Sequence, residues 1–186
     1  RIPYINRNLY YFAGKDVWKT LFDLEAMRPG MVLLSAQAPD GDPAWCDVVT
    51  LMTPVATRPW EAWEGSAPGR RPEAYTALKA AMTQATVDFA CARLPELRDA
   101  IAHTYAATPL TYRHYTGAPH GAAYGLLKDW RSIMASHIPA RTKFENLLLT
   151  GQNLTVHGAI GVTLSAAATC SEIVGTEYLA KKIANA

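Results

Sequence analysis

Cysteine is scarce and poorly spaced for chemistry. Cys46, Cys91 and Cys170 are scattered over 186 positions with no Cys-x-x-Cys, which argues against a zinc site or a dithiol centre. Reduced, buried thiols of the kind cytoplasmic proteins carry are the expectation. Charge is also thin: 18% of residues are Asp, Glu, Lys or Arg and the net charge is +2. No dense Lys/Arg run exists to track a phosphate backbone, so nucleic acid is not an expected partner. Arg70 and Arg71 form a lone basic pair, read as a solvated loop before a helix. Internal repeats and low-complexity tracts are absent. Gly158 to Gly175 has the length of a membrane span, but Thr163, Ser165, Thr169, Ser171 and Glu172 interrupt it, so a packed internal helix is expected. No Gly-x-Ser-x-Gly supports a hydrolase triad. Asp40 and Asp42 sit in a turn, and carboxylates with histidine at metal-binding spacing are lacking. Neither a Gly-x-Gly-x-x-Gly after an early strand nor a Walker-type loop is present, so any nucleotide site built here is partial. The chain begins at Arg1 with no signal-like apolar stretch, which suits a fragment or a processed product.

The length and an apolar content of 49% allow a substantial core. Tyr4 to Phe12 alternates as a strand. Asp16 is placed to cap a short helix through Leu24, which Pro29 and Gly30 end. Met31 to Gln37 and Trp45 to Val55 read as an antiparallel hairpin around the turn cluster Pro39 to Pro43. Thr57 to Pro72 is an irregular, proline-rich loop pinned by Trp60 and Trp63. Pro72 and Glu73 open an amphipathic helix, with Tyr75, Leu78, Met82, Ala85, Thr86 and Phe89 on one stripe. A short helix follows from Pro95 to Ala102. Thr104 to Tyr115 has strand-like composition broken by Pro109, and Thr116 to Gly125 is a glycine-rich loop. The composition of Lys128 to Arg141 favours no element. Phe144 to Thr150 reads as a buried strand leading into a final helix to about Ile183, with Val162, Ala166, Thr169, Cys170, Ile173 and Val174 on its inner face.

This closing strand–turn–helix is where chemistry is expected. Gly151 lets the chain leave the strand with positive φ. Gly158 and Gly161 allow backbone to approach a ligand, and the free amides from Gly161 to Val162 and Thr163 carry the positive end of the helix dipole. Ala159, Ser165, Ala166, Ala167 and Ala168 keep the helix surface low enough to pack on a sheet or a planar ring. An ordinary tight strand-to-helix connection accounts for the same spacing.

Residues Asn146 to Ala166 (NLLLTGQNLTVHGAIGVTLSA) resemble the C-terminal flavin-contacting segment of the phytoene desaturase, carotenoid isomerase and retinol saturase family, and Thr108 to Gly125 (TPLTYRHYTGAPHGAAYG) resembles an upstream segment of the same family. The order of Met52-Thr-Pro-Val and of Trp60, Trp63 and Lys79 is similar too, so the resemblance covers most of the chain. It implies an FAD-binding domain with an inserted substrate domain, of which this chain resembles the C-terminal part: a substrate-domain portion over 1–142, then 143–186 returning to the FAD domain. The implied fold class is α+β, a sheet with helices on one face ending in a strand–turn–helix unit of a split FAD-binding domain. The implied cofactor contacts are Gly151, Gln152, Asn153, His157, Gly158, Ala159, Ile160, Gly161 and Val162. In such flavoproteins Gly-Asp often ends the closing strand. Here Gln152 and Asn153 follow Gly151, neutral amides that hydrogen-bond a ribityl hydroxyl in either direction without bringing charge, a departure nearer the saturase-like branch.

Under the resemblance, His157 lines the flavin face or the tunnel beside it; a capping or structural role is the other reading. Tyr112, His114, Tyr115 and Tyr124 line a polyene tunnel or hold a substrate-domain sheet together. His103 and His120 are read as surface or loop residues. The resemblance implies an FAD-dependent oxidoreductase that desaturates, isomerises or saturates carbon–carbon bonds of a carotenoid or retinoid. Its partners are the apolar polyene and the missing N-terminal FAD-binding portion of the same protein, with a peripheral membrane contact and a homodimer among the expected associations. The setting is the cytoplasm or the face of a membrane, and the chain by itself is expected not to turn over. The alternative is a non-catalytic module that binds an apolar ligand or protein partner through an exposed loop carrying Trp60 and Trp63.

Overall fold

The alternation in Met31–Ala36 (β3) decides the first layer, since Val32, Leu34 and Ala36 point to one side and are buried. The structure, a computed structural model, describes residues 1–22, 24, 28–37, 40–42 and 44–185. The chain divides into two compact units, Arg1–Gly121 and Ala122–Ala186.

In the first unit β3 is the middle strand of an antiparallel sheet between Leu9–Phe12 (β2) and Val49–Met52 (β5), with Leu34 opposite Leu9 and Leu51. A small antiparallel pair joins Ile2–Pro3 (β1) to Trp45–Cys46 (β4). The expected hairpin is present; of its turn cluster, Pro39 and Pro43 lie outside the described residues. Val17–Phe22 (α1) follows β2, and Asp16 receives the Lys19 amide at 3.0 Å as the expected cap. Glu73–Cys91 (α2) starts after Pro72 and buries Tyr75, Met82, Thr86, Ala90 and Cys91, the stripe its periodicity predicts carried one turn further. Ala90 and Cys91, with Leu97 of Leu97–Ala100 (α3), close over Ile2, Val32, Leu34 and Cys46 as the main core. Burial raises the Cys46 thiol above its ordinary pKa, so the thiol stays protonated.

Trp60 sits in a short 3₁₀ turn, Arg58–Trp63, and is 2% exposed. It meets Trp63 and Tyr75 edge-on at 6.4 and 5.6 Å within a second cluster that includes Met82 and Leu110. The expectation of an exposed tryptophan loop is therefore corrected: these rings hold the unit together. The strand-like reading of Thr104 to Tyr115 is corrected as well. Pro109–Thr116 is a helix (α4) because Pro109 occupies its first turn and Thr108 with Thr111 forms a reciprocal capping box, which outweighs the β-branched and aromatic composition. Gly117 then ends α4 in the left-handed region.

In the second unit a short helix, Ile133–Ser136 (α5), precedes two longer ones, Gly158–Val174 (α6) and Thr176–Ala184 (α7). The single long helix of the sequence reading is cut at Gly175, whose φ of 85° stops the first ladder. The buried strand at Phe144 to Thr150 is not formed. Among the described residues it pairs only through an isolated bridge between Leu148 and Arg141, and Thr142 Oγ1 donates to the Leu147 carbonyl to make a turn instead. Phe144 is 55% exposed and Leu147 47%. The fold is thus mixed α and β, with small antiparallel sheets. Among the described residues no helix is long and apolar enough to cross a membrane.

Candidate functional site

The loop before α6 is tied to the helix through its smallest residues. Gly161 and Ser165 are buried one turn apart, and Thr155 and Ser165 share a hydroxyl contact of 3.1 Å. Thr169 Oγ1 donates to the Leu149 carbonyl at 2.8 Å. A Cβ at Gly161 would stand 2.1 Å from the Val156 carbonyl oxygen. The close approach that glycine permits here is thus to the chain's own backbone rather than to a ligand. The expected inner face is corrected accordingly. Val162, Ala166, Cys170, Ile173 and Val174 are exposed and Thr169 is half-buried, because the preceding loop packs on the small polar stripe and leaves the apolar one open. Cys170 is likewise exposed rather than buried.

The helix N-terminus is open. His157 holds the N-cap position without a side-chain cap, and the first turn has no acidic residue. Gly158 has φ of 82° with open space around the position of a Cβ, and Ala159, Ile160 and Val162 are exposed. The opening amides of any helix lack internal acceptors; with the N-cap at His157 these are the amides of Gly158, Ala159 and Ile160, so the free amides expected at Gly161 to Thr163 lie inside the helix ladder instead. His157 is not a capping histidine. Its ring packs on Tyr124, 4.7 Å between centroids and tilted by 36°. The structure thereby joins two candidates taken from separate segments of the sequence.

Gly151 has the expected positive φ, 107°, in a turn rather than at a strand end. Asn153 Oδ1 accepts the Leu126 amide at 2.9 Å, so this amide fastens the loop that carries Tyr124. Gln152 is half-buried beside it. Tyr112, His114 and Tyr115 lie on α4 in the first unit, all three exposed, with the His114 and Tyr115 rings edge-on at 4.8 Å.

Lys128 escaped the sequence reading because its surroundings show no periodicity. Its Nζ donates to the carbonyls of Ser136, Asn153 and Leu154 at 2.5, 2.6 and 3.0 Å, drawing α5 and the Asn153 loop onto one ammonium. Arg141 adds a second clip, donating to the Glu172 carboxylate at 2.7 Å and to its carbonyl at 3.0 Å. Among the described residues no group of His, Cys, Asp and Glu is placed to hold a metal ion.

The open amides, the paired Tyr124 and His157 rings and the exposed apolar side chains of α6 lie together at this helix end. The human protein named all-trans-retinol 13,14-reductase is 29% identical over 187 residues, covering 93% of this chain and 30% of that one. Its namesake from Macaca fascicularis is 31% identical over 143 residues, covering 72% and 23%. The chain is similar to part of these proteins so named. A Danio rerio protein named inactive all-trans-retinol 13,14-reductase is also similar, 29% identical over 115 residues, covering 61% of this chain and 19% of its own. Likeness to these reductases thus extends to a member whose name denies the activity, and the chain spans less than a third of the reductases it matches. No protein-family model and no solved structure matches the chain.

Proposed function

We propose that this chain is the substrate-domain portion and flavin-returning segment of an FAD-dependent oxidoreductase. Its substrate is an apolar conjugated polyene, a retinoid or carotenoid, on whose carbon–carbon bonds it acts by saturation, desaturation or isomerisation. The observation that carries this reading is the state of α6. A helix face of large apolar side chains ordinarily packs against another surface, yet here Ile160 is 79% exposed, Leu164 56% and Ile173 72%. Leu154 is the one buried large apolar side chain among the described residues of the second unit.

The residues fit one edge of a flavin and not the whole cofactor. Donors at Gly158, Ala159 and Ile160 suit the acceptor edge of an isoalloxazine, while the phosphate-gripping glycine fingerprint is absent from the sequence. Bound FAD would supply the hydride exchange. The α6 amides would hold its acceptor edge and Tyr124 with His157 would stand as an aromatic wall beside them. Tyr112 and Tyr115 offer ring surface to a polyene. Co-expression of the chain with the remaining polypeptide of such an oxidoreductase tests the reading. A visible flavin band surviving gel filtration, retinol turnover, and loss of both on Gly158→Val are expected. A correctly assembled protein that retains no flavin overturns it.

A further inference from the structure

A cavity of about 260 Å³ in the first unit is lined by Glu64, Ser66, Arg71, Leu110, Arg113 and His114. Its charge is unbalanced. Glu64 Oε2 is committed to Arg113 Nη1 at 2.5 Å, and the Ser66 hydroxyl donates to the Trp63 carbonyl at 2.6 Å. Arg71 has no carboxylate partner among the described residues. It donates from Nη1 to the Tyr75 hydroxyl and from Nη2 to the Leu110 carbonyl at 3.2 Å, and its Nε is buried without a hydrogen-bond partner. The Tyr75 ring lies 4.5 Å beneath the guanidinium, and the Tyr75 hydroxyl is fixed in turn by Thr108 Oγ1 at 2.9 Å. Arg71, expected as half of a solvated basic pair, is therefore partly buried and held in one orientation by neutral groups.

A guanidinium drawn out of water without a counter-ion is costly, and neutral acceptors offset part of that cost. Its planar fork of five N–H donors matches an oxyanion. We propose that this cavity binds a small oxyanion, a carboxylate or phosphate group, with Arg71 as its principal ligand and Arg113 and His114 contributing from α4. The site belongs to the first unit and stands independently of the flavin reading.

Calorimetric titration of the chain with inorganic phosphate, and separately with acetate, against chloride at matched ionic strength tests it. Saturable binding of either anion is expected, and the one that binds identifies the class of group. Arg71→Gln weakens it about tenfold, the effect of one charge-assisted hydrogen bond. Glu64→Gln removes the negative charge in the cavity and frees Arg113, so affinity rises several-fold. Arg71→Lys keeps the test open should Arg71→Gln fail to fold, since it retains the charge but not the fork, and a purely structural Arg71 predicts unchanged affinity in it. No saturable binding of either anion, or unchanged affinity in Glu64→Gln, overturns the proposal.

Discussion

The two glycines of α6 do different jobs, and alanine separates them. At Gly158 the left-handed backbone is the whole cost, because nothing lies near a new methyl group. Gly158→Ala is expected to lose about 1 kcal/mol. At Gly161 the backbone is helical and alanine is the better helix former, but its methyl would run into the Val156 carbonyl. That clash is with backbone, so the loop must move, and the net loss is about 1–3 kcal/mol. Thermal unfolding of both variants orders them. If Gly161→Ala proves the milder change, the loop does not lie on the helix as described. Tyr75 is a similar single-atom case in the first unit. Tyr75→Phe keeps the ring against Trp60 and removes a hydroxyl shared by Arg71 and Thr108. Urea unfolding should show a loss of about 1–3 kcal/mol, since two buried partners are left short.

Elements were legible in the sequence where local pattern and tertiary partner agreed. The stripe of α2 and the hairpin of β3 with β5 needed no outside information, because the sheet and helix that bury them lie in the same unit. Thr104 to Tyr115 was misjudged because composition was weighed above a two-residue cap. Phe144 to Thr150 and the inner face of α6 were misjudged for a deeper reason. Their apolar patterns meet no partner surface among the described residues of the second unit, so they stay open and the small residues pack instead. The positive φ of Gly151 was legible from its place between two elements, while Lys128 and Arg71 bond backbone carbonyls that leave no sequence spacing. Lys128→Met keeps the stem and removes the ammonium. It is expected to cost about 2 kcal/mol and to speed amide exchange at Ile138, whose N–H bonds the Leu154 carbonyl that Lys128 also holds. At the junction of α2 and α3 the test is acid. The Arg98 hydrogen bond, then one from Gln84, holds the Asp88 carboxyl below its ordinary pKa. A depressed folded pKa stabilises above the ordinary value near ~3.9 and is lost as pH falls through the folded one. Carboxyl NMR titration should show Asp88 moving up towards the ordinary value in Arg98→Ala.

At the scale of the molecule the two units differ in kind. The first buries a contiguous core across sheet and helices. The second is held by Lys128, Arg141, a threonine–serine contact and little apolar burial. Its cohesion is polar and directional, which positions a loop well but supplies little stability when large apolar side chains remain in water. Hydrogen exchange should therefore show early opening in 122–186 and slow exchange in α2 and β3. The same imbalance makes the open face of α6 separable from stability. Ile160→Glu with Leu164→Glu should change the unfolding free energy of the chain by less than about 0.5 kcal/mol, as exposed substitutions do, and should lower its binding of a hydrophobic dye. Joined to the rest of an oxidoreductase, the same two carboxylates would be carried into a buried interface, where unpaired charge is strongly unfavourable, and assembly with flavin should fail. A variant that destabilises the chain alone by several kcal/mol would show that α6 is already covered within it, and the case for a missing partner surface would go with it.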